Sequence, residues 1–525
     1  MRTVLLALDK FKGSLTAADA CAALARGLNG AARGLDSAAR GAEAAWGLNG
    51  AARGLDSAAR GAEAAWGLNG ATRGTQAARA AEAPGASEAP FSSGTGLRVL
   101  TVPVADGGDG TVDAALAAGF VPLAVEVAGP LGEPRTVRIA RRDGVAVVEL
   151  AECCGLVHVD APGPETHARA STRGLGEAIA AAVADGAREV VVGIGGSAST
   201  DLGLGMLAAL GADRRDDGGR PLPEGSAALH SLVSADISGA RAALAGVTLT
   251  IASDVTAPLT GPDGAAHVFA AQKGAPEDSL GQLDEDLGHA AAVLLRGTVT
   301  DPRRGPRRDA LAGSEPSGPG PMRSSPGPVR SGPSPVPTVT GKADTTDVSG
   351  DPTASAGAGA AGGTGFALML LGAQTRSGAE VLLGMADFDA AAAEADVVIV
   401  GEGSLDAQSL QGKAPAVAAA RARSVWAQGA SPQRQVSSVS GSEPRQHRFR
   451  TVLAVAGRAD LRSEDLTAAG IDRVLTLRER AASDEDSIAR AAELLEDLGR
   501  QLGHELGGDP ARGRDRPSSG RAADR

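Results

Sequence analysis

The stretch VVVGIGGSASTDLGLGMLAAL, residues 190–210, decides the fold. It begins with a β-branched run, Val190–Ile194, and ends in an apolar helical segment, with a turn rich in Gly, Ser and Thr between them. Strand, glycine-rich turn and helix in this order are typical of a parallel α/β sheet, whose ligands bind beyond the carboxyl ends of the strands. Glycines let a ligand approach the backbone, and the helix N-terminus behind them favours anions. We therefore predict a phosphate cradle formed by Gly195, Gly196 and Ser197.

The same strand signal recurs along the chain and extends this fold prediction. Further short β-branched runs are Thr3–Leu8, Val99–Val104, Val247–Ala252, Val397–Val400 and Val452–Val455. Most lead into an acidic or glycine-rich turn and then an Ala/Leu-rich stretch, as in parallel α/β proteins. Val137–Ala140 and Val145–Leu150 flank the turn at 141–144 as a hairpin, which indicates a mixed sheet in part of the protein. We predict two different α/β lobes.

Long segments interrupt this pattern. Residues 27–46 recur unchanged at 47–66, and a third copy begins at 67. The repeat is rich in Ala and Gly rather than in a regular apolar core pattern, so it is not typical of a solenoid. We interpret 29–96 as a repeat-containing insert. The remaining interruptions are a Pro/Ser/Gly-rich disordered insert at 300–352, a polar insert at 425–450 and a disordered tail at 507–525.

The patterned sequence that remains divides into two lobes. Residues 1–28 with 97–122 and 380–506 are expected to form a Rossmann-like lobe with a parallel sheet. Residues 123–379 are expected to form a second, mixed α/β lobe inserted into the first. All three tryptophans, including Trp426 at the border of the polar insert, fall outside the segments predicted to form the core.

Composition and charge exclude several classes of function. The net charge of −12 and an aromatic content of 2% argue against nucleic-acid binding, which uses basic patches and aromatic stacking. Cys21, Cys153 and Cys154 have the spacing of neither a disulfide framework nor a C-x-x-C metal motif, which indicates a reducing compartment. The start of the chain lacks a signal-peptide pattern, and the apolar stretch near Phe366–Ala373 is too short to span a bilayer. We predict a cytoplasmic protein without a membrane or nucleic-acid partner.

The turns after the other strands carry charged residues. Lys12 follows the first strand, beside a Gly-Ser pair at a helix start, where a lysine binds anionic oxygens or is simply solvated. Asp106 and Asp109 lie among glycines after the second strand, where carboxylates hold Mg²⁺, accept a proton or belong to a structural turn. Asp254 follows another strand and is equally compatible with a metal ligand and a helix cap.

Two glycine-rich segments later in the chain have different interpretations. Val397–Val400 leads into Glu402 and Asp406, with Lys413 close behind, which fits a metal-phosphate site and also a capped helix. GAGAAG, residues 357–362, matches the dinucleotide pattern G-x-G-x-x-G, but no strand is predicted before it, so close helix packing is the better interpretation. Acids, lysines and anion cradles without a histidine triad point to phosphoryl transfer.

As a set, these motifs closely resemble the bacterial glycerate kinase family. The motifs that carry the resemblance are DKFKGSL (9–15), PVADGGDGT (103–111), GIGGSASTD (193–201), SDVTAPLTG (253–261), VFAAQKGA (268–275), GAGAAGGTGFAL (357–368) and GEGSLDAQSLQGKAP (401–415). The resemblance spans nearly the whole patterned core. It implies ATP-dependent phosphorylation of a glycerate hydroxyl with Mg²⁺ as cofactor, on two α/β lobes with the active site in the cleft between them. We also consider a homodimer.

The matching polar residues become candidate site residues. We assign Asp201 or Asp106 as the base that orients the glycerate hydroxyl, and Glu402 and Asp254 as Mg²⁺ ligands. We assign Lys12, also classed as catalytic, and Lys413 to anionic oxygens. The residues assigned to substrate or phosphate binding are Lys413, Asp109, Asp406 and the Gly195-Gly196-Ser197 cradle. The chain departs from the family pattern at Thr200, Leu202, Ala257, Ala270-Ala271 and Ser404, where the family usually has Asn, Gly, Asn, Gly-Pro and Arg.

Two other functions stay open on the sequence. The first is a dinucleotide-dependent oxidoreductase that uses residues 193–198 or 357–362, with Asp213 or Asp216 as the ribose-binding acid. The second is a non-catalytic binding protein that kept the fold and gained interaction inserts. The favoured interpretation is a glycerate kinase that forms phosphoglycerate, with 2-phosphoglycerate as the preferred product.

Overall fold

The structure, a computed structural model, describes residues 2–39, 97–298, 351–407, 409–410, 412–429 and 450–507. Most of the predicted inserts at 29–96, 300–352 and 425–450, and of the tail at 507–525, lies outside the described residues. Two large sheets organise the described part of the chain, as predicted. No helix in the ranges above is long and apolar enough to cross a membrane.

The elements alternate along the chain as an α/β pattern requires. The strands are β1 Arg2–Leu8, β2 Leu97–Thr101, β3 Val121–Ala128, β4 Pro134–Arg142, β5 Val145–Glu149, β6 Glu189–Gly193, β7 Asp213–Arg215, β8 Ser234–Asp236, β9 Thr248–Ala252, β10 Gln374–Arg376, β11 Val397–Leu405, β12 Thr451–Ala459 and β13 Arg473–Thr476. The helices are α1 Ala17–Ala39, α2 Thr111–Ala117, α3 Leu150–Cys154, α4 Pro164–Arg169, α5 Arg173–Ala184, α6 Leu204–Ala209, α7 Ser238–Ala243, α8 Leu280–Thr298, α9 Ala360–Leu370, α10 Gly378–Met385, α11 Phe388–Glu394, α12 Ala414–Gly429, α13 Ser463–Ala468, α14 Asp484–Ala489 and α15 Ala491–Gly507.

The first sheet is parallel throughout, in the order β13-β12-β11-β1-β2. Both of its faces are buried, because successive residues of β1 pack into different clusters. Val4, Leu6 and Leu8 pack against α1 and α15, and Leu5 and Ala7 pack towards α10, α11 and α12. A strand buried on both faces explains the continuous apolar run that predicted it.

The second sheet is mixed, in the order β10-β9-β6-β5-β4-β3. β5, β6, β9 and β10 are parallel to one another, and β3, β4 and β5 are antiparallel. The predicted hairpin is the β4–β5 pair, with Asp143 and Gly144 at positive φ in its turn. The chain enters this sheet after β2 and returns to the first sheet at β11, so the mixed sheet is inserted into the parallel one.

The segment between β2 and α2 connects the carboxyl ends of both sheets. Val102 and Val104 donate backbone hydrogen bonds of 2.8 and 3.0 Å to Leu6 and Leu8 and so continue alongside β1. Gly107 then accepts a hydrogen bond of 3.2 Å from the backbone N of Gly195, just after β6. At φ +87°, a Cβ on residue 107 would lie 2.2 Å from the carbonyl oxygen of Ala252, so only glycine fits there.

One sequence expectation needs correction. Trp426, expected outside the core, lies in α12 with 6% of its surface exposed, and its Nε1 donates to the backbone O of Ala392 at 2.7 Å. Its polar sequence neighbours suggested a border, but the tertiary contact decides its burial. Helix α1 continues to Ala39 and so includes the first residues of the expected insert at 29–96, whose bounds stay a prediction. The two-lobe fold is confirmed, and the lobe boundaries stay a prediction.

Candidate active site

The alternation of side chains along the strands places three carboxylates on one face of the first sheet. Leu5 and Ala7 face α10 to α12, and two residues further on the same face comes Asp9. The same spacing leads from Val102 and Val104 to Asp106, and from Val398 and Val400 to Glu402. Because β11, β1 and β2 are neighbours, these acids form a row along the carboxyl edge of the sheet.

Asp254 adds a fourth carboxylate from the second sheet. It follows β9, and the Ser377 side chain and the backbone of Gly378 at the start of α10 act to lower its pKa. Asp106 lies between the two sheets and raises the pKa of Asp9, Asp254 and Glu402 by charge repulsion. These four residues, called the carboxylate cluster below, bring together three of the predicted site residues.

Burial is the main influence on the acidity of this cluster. It raises the pKa of Asp9 to about 7, with repulsion from Asp106 as the next cause. It raises the pKa of Asp254 to about 6, opposed by the hydrogen bond from Ser377. It also raises the pKa of Glu402, opposed by the Ser409 hydroxyl and the charge of Lys413. Two or more negative charges on these residues therefore favour a cation among them.

The cluster fits a magnesium ion that is shared with a substrate phosphate. Oδ2 of Asp254 and Oε1 of Glu402 are buried and have no hydrogen-bond partner among the residues that the structure describes. Within the described ranges, no three His, Cys, Asp or Glu side chains are arranged as a ready metal cage. Magnesium in kinases is commonly held by one or two carboxylates, with water and phosphate oxygens completing its shell. Two unpartnered acidic oxygens therefore suit Mg²⁺ better than a metal that needs a full protein cage.

The predicted cradle adjoins the carboxylate cluster on the side of the second sheet. Gly196 is at φ +70°, and a Cβ there would lie 2.2 Å from Oδ1 of Asp109. Ser197 is buried, and its Oγ accepts a hydrogen bond of 2.7 Å from Nζ of Lys273. Nζ also donates to the backbone O of Ser199 at 2.6 Å. The cradle therefore has a buried lysine beneath it, and burial lowers the pKa of Lys273 to about 7.

Asp201 lies behind the cradle and is fully occupied by the protein. Its Oδ2 accepts hydrogen bonds from Thr172 N at 2.9 Å, Thr172 Oγ1 at 2.8 Å and Gly205 N at 3.2 Å. Its Oδ1 accepts from Gly203 N at 3.2 Å, and none of its surface is exposed. This carboxylate ties the turn after β6 to the starts of α5 and α6. Because Asp201 is completely buried in this structure, its carboxylate is not accessible to a substrate hydroxyl.

The lysines and the remaining acids surround the carboxylate cluster. Lys12 lies in an open cleft lined by the turn after β1 and by Asp109. Lys413 precedes α12 and acts on Glu402 by charge. Asp406 accepts a hydrogen bond of 3.0 Å from the backbone N of Ser409 and stabilises the turn between Glu402 and Lys413. The structure therefore places Asp406 in a supporting turn.

Three residues of the site were missed by sequence reasoning. Asp9 directly follows β1, so the argument that ligands bind beyond the carboxyl ends of the strands, which led us to Asp106, applied equally to Asp9. Lys273 stands in the quoted motif VFAAQKGA, but no local pattern shows that a lysine is buried. Glu149 ends β5 and accepts hydrogen bonds of 3.0 and 2.9 Å from the backbone of Gly110 and Val112, which fixes the start of α2 beside Asp109.

The glycine-rich segment at 357–362 serves packing rather than a dinucleotide. No strand precedes it in the described residues from 351 onward. A Cβ on Gly362 would lie 2.3 Å from the backbone O of Ser199, and Gly362 O accepts a hydrogen bond of 3.0 Å from Leu202 N. Leu202, at a position where the resemblance leads us to expect glycine, takes φ +57°. The segment supports the cradle from behind.

Comparisons with known proteins agree on one family. The profile of the glycerate kinase family matches residues 71–318 and 338–506. A glycerate kinase of Bacillus subtilis (strain 168) is 34% identical over 407 residues, covering 76% of this chain and 87% of that protein. A glycerate 2-kinase of Escherichia coli (strain K12) is 36% identical over 320 residues, covering 60% and 71%. The crystal structure of a protein designated glycerate kinase 2 from Salmonella typhimurium LT2 superimposes with a TM-score of 0.60 at 26% identity, covering 96% of this chain and 98% of the other.

Proposed function

The chain belongs to the glycerate kinase family and is a kinase, and from this premise we propose that it phosphorylates the 2-hydroxyl of D-glycerate. The proposed donor is the Mg²⁺ complex of ATP, and the products are 2-phosphoglycerate and ADP. The observation that carries the proposal is the pair of buried, unpartnered oxygens on Asp254 and Glu402, between the two sheets. The name of the E. coli relative, a glycerate 2-kinase, supports the choice of hydroxyl.

Glu402 and Asp254 would hold the magnesium ion, directly or through water. When bound, the ion supplies positive charge that neutralises the phosphate oxygens during transfer. The carboxylates of the cluster must be ionised for this task. Their raised pKa values oppose ionisation in the absence of a metal ion. A bound cation would lower these pKa values and so favour the ionised carboxylates that hold it.

Asp106 is the better of the two candidate bases. It is half-buried, and its Oδ1 accepts a hydrogen bond of 3.2 Å from the backbone N of Gly108. Asp201, in contrast, already accepts four hydrogen bonds. In the proposed reaction the glycerate 2-oxygen forms a bond to the γ-phosphorus, the bond from that phosphorus to the β-phosphate oxygen breaks, and the hydroxyl proton passes to Asp106.

The cradle and the lysines would position the anionic groups. Gly195, Gly196 and Ser197 offer backbone N–H groups and a hydroxyl at one side of the cluster, with Asp109 at its edge. Lys12 and Lys413 supply positive charge from the first sheet. Positioning and charge neutralisation carry most of the catalysis in phosphoryl transfer, so this division between the two sheets suits the reaction.

The expected setting is the cytoplasm. Cys21, Cys153 and Cys154 are buried free thiols, which suits a reducing compartment. The homodimer stays a prediction. Size-exclusion chromatography with light scattering, which measures the molar mass of the protein in solution, tests it.

A coupled assay tests the proposed function. Purified protein is incubated with Mg-ATP, D-glycerate and enolase, and phosphoenolpyruvate is followed by absorbance, with and without added phosphoglycerate mutase. We expect signal without mutase. Signal only with mutase would move the product to 3-phosphoglycerate. No signal in either arm, with ATP binding intact in a calorimetric titration, would contradict the kinase assignment for glycerate and favour the binding-protein alternative.

A further inference from the structure

An arginine stands beside the carboxylate cluster without a role in the proposed reaction. Strands β11 and β12 continue beyond the end of β1, and in this extension Ser404 is the direct cross-strand neighbour of Arg458. Nε of Arg458 donates a hydrogen bond of 3.1 Å to Oγ of Ser404. This contact holds the inner part of the guanidinium at the carboxyl edge of the first sheet.

The strand geometry points Arg458 to the face of the carboxylate cluster. Glu402 pairs with Ala456, and Ser404 pairs with Arg458, so all four side chains lie on the same face. Two residues along a strand span about 6.6 Å, and an arginine side chain bridges such a distance. The guanidinium is therefore within reach of a ligand bound at Glu402.

No acidic side chain among the described residues forms an ion pair with Arg458. The side chain is exposed, and among the described residues its only hydrogen-bond partner is the neutral Ser404 hydroxyl. Arg473, an exposed arginine on the neighbouring strand β13, lies in contrast in an ion pair with Glu505 at 2.9 Å. A guanidinium anchored by Nε keeps its two terminal N–H₂ groups for a planar, two-point contact with an anion.

We propose that Arg458 binds anionic oxygens of the substrates at the carboxylate cluster. The inference rests on the proposed function for the identity of those substrates. The anion is a phosphate group of ATP or the carboxylate of glycerate, since both present a pair of oxygens to a guanidinium. Arg458 complements Lys413, which approaches Glu402 from the start of α12. With Arg458, the first sheet provides cations on both β12 and α12.

Four variants test this role. Arg458→Ala removes the guanidinium, and Arg458→Lys keeps its charge but loses the planar contact. The double variant Ser404→Arg/Arg458→Ser moves the guanidinium to the neighbouring strand at the same register. Arg473→Ala is the matched control, because it removes an exposed arginine from the amino end of the neighbouring strand β13, away from the carboxyl edge of the sheet. Kinetic constants for glycerate and ATP are measured together with the calorimetric Kd for ATP, and thermal unfolding checks that each variant is folded.

We expect Arg458→Ala to lower kcat/KM about 10- to 100-fold, in line with the loss of a charge-assisted hydrogen bond. Arg458→Lys is expected to lose less, and the double variant is expected to recover most of the loss. A weaker Kd for ATP identifies phosphate as the ligand, and a raised KM for glycerate alone identifies the carboxylate. An effect of Arg458→Ala no larger than that of Arg473→Ala would overturn the inference.

The ATP titration also separates the two hypotheses. A wild-type protein that binds ATP without turning over glycerate contradicts the proposed function, whereas a weakened Kd in Arg458→Ala still supports the arginine contact. A wild-type protein that neither binds ATP nor turns over glycerate contradicts both.

Discussion

The carboxylates of Asp201, beside the second sheet, and Glu402, on the first sheet, are both buried but differ in how the protein hydrogen bonds to them. Asp201, beside the second sheet, accepts four hydrogen bonds from three residues that begin α5 and α6. In the described part of the chain, Glu402 on the first sheet has one buried oxygen without a hydrogen-bond partner, and so does Asp254 after the end of β9. An unpaired buried acceptor costs free energy, whereas a fully paired one stabilises the turn around it.

This difference in hydrogen bonding distinguishes acids with a structural role from acids that we expect to bind a ligand. From the sequence we assigned both Asp201, as a candidate base, and Glu402, as a candidate Mg²⁺ ligand, to the active site, because each follows a strand in a glycine-rich turn. The hydrogen bonds separate them. We interpret Asp201 as the anchor of the cradle, and Glu402, Asp254, Asp106 and Asp9 as the group that meets magnesium and substrate. Each prediction below changes one side of this comparison.

The largest effect is expected for Glu402→Gln. The amide keeps the shape of the side chain but loses the negative charge that would hold magnesium, so kcat/KM should fall about 1,000-fold. The midpoint of thermal unfolding should stay the same or rise, because a buried charge is removed. Steady-state kinetics and calorimetry measure the two results. Full activity in this variant would remove Glu402 from the site.

Asp201→Asn should give the reverse result. An amide nitrogen turned towards the donors of Thr172 and Gly205 breaks several charge-assisted hydrogen bonds, so we expect a loss of about 3 kcal/mol in the free energy of unfolding. Urea denaturation measures this loss. At a temperature where the variant is folded, its kcat should stay within about tenfold of wild type. A stable Asp201→Asn protein with no activity would instead make Asp201 the base.

Asp106→Asn tests the base on the other side of the comparison. Loss of proton acceptance should lower kcat about 100-fold while the KM for ATP stays nearly unchanged. Asp113→Asn, at an exposed ion pair with Arg138, serves as a control that should leave both constants unchanged.

Asp9→Asn should change stability with pH. Burial first, and then repulsion from Asp106, raises the pKa of Asp9 to about 7 in the folded protein, above its value of 3.8 in the unfolded chain. The folded state therefore holds the proton more tightly, and the stability that this proton gives is lost as the pH rises from 4 through 7. At pH 8 and without magnesium, the variant should be on the order of 1–2 kcal/mol more stable than wild type.

The pH series also supplies the control for this last prediction. At pH 4 the wild-type carboxyl is protonated in the folded state, so the stabilities of wild type and variant should nearly converge. A gain that is equal at pH 4 and pH 8 would show that the substitution acts through packing and not through the proton.

Much of this architecture could be predicted from local sequence patterns. β6 and its turn follow from a β-branched run before Gly195, and the β4–β5 hairpin follows from Asp143-Gly144 between two apolar runs. The row of acids follows partly from alternation along each strand. These features depend on residues that are neighbours in the sequence, which is why they can be predicted from it.

The remaining features depend on contacts between distant segments. Nothing near Lys273 in the sequence shows that its ammonium group lies beneath Ser197, 76 residues away. Trp426 is buried because α11 offers the backbone O of Ala392, although its own flanking sequence is polar. The four hydrogen bonds of Asp201 come from α5 and α6, so its role became visible only once those helices were placed.

A metal-binding measurement tests most directly whether Glu402, and not Asp201, holds the metal ion. Manganese, as a spectroscopic substitute for magnesium, is titrated into wild type, Glu402→Gln and Asp201→Asn in the presence of ADP, and free Mn²⁺ is measured by electron paramagnetic resonance. We predict that Asp201→Asn binds Mn²⁺ with an affinity close to that of wild type, and that Glu402→Gln binds it at least tenfold more weakly. Wild-type affinity in Glu402→Gln together with lost binding in a folded Asp201→Asn would contradict this prediction.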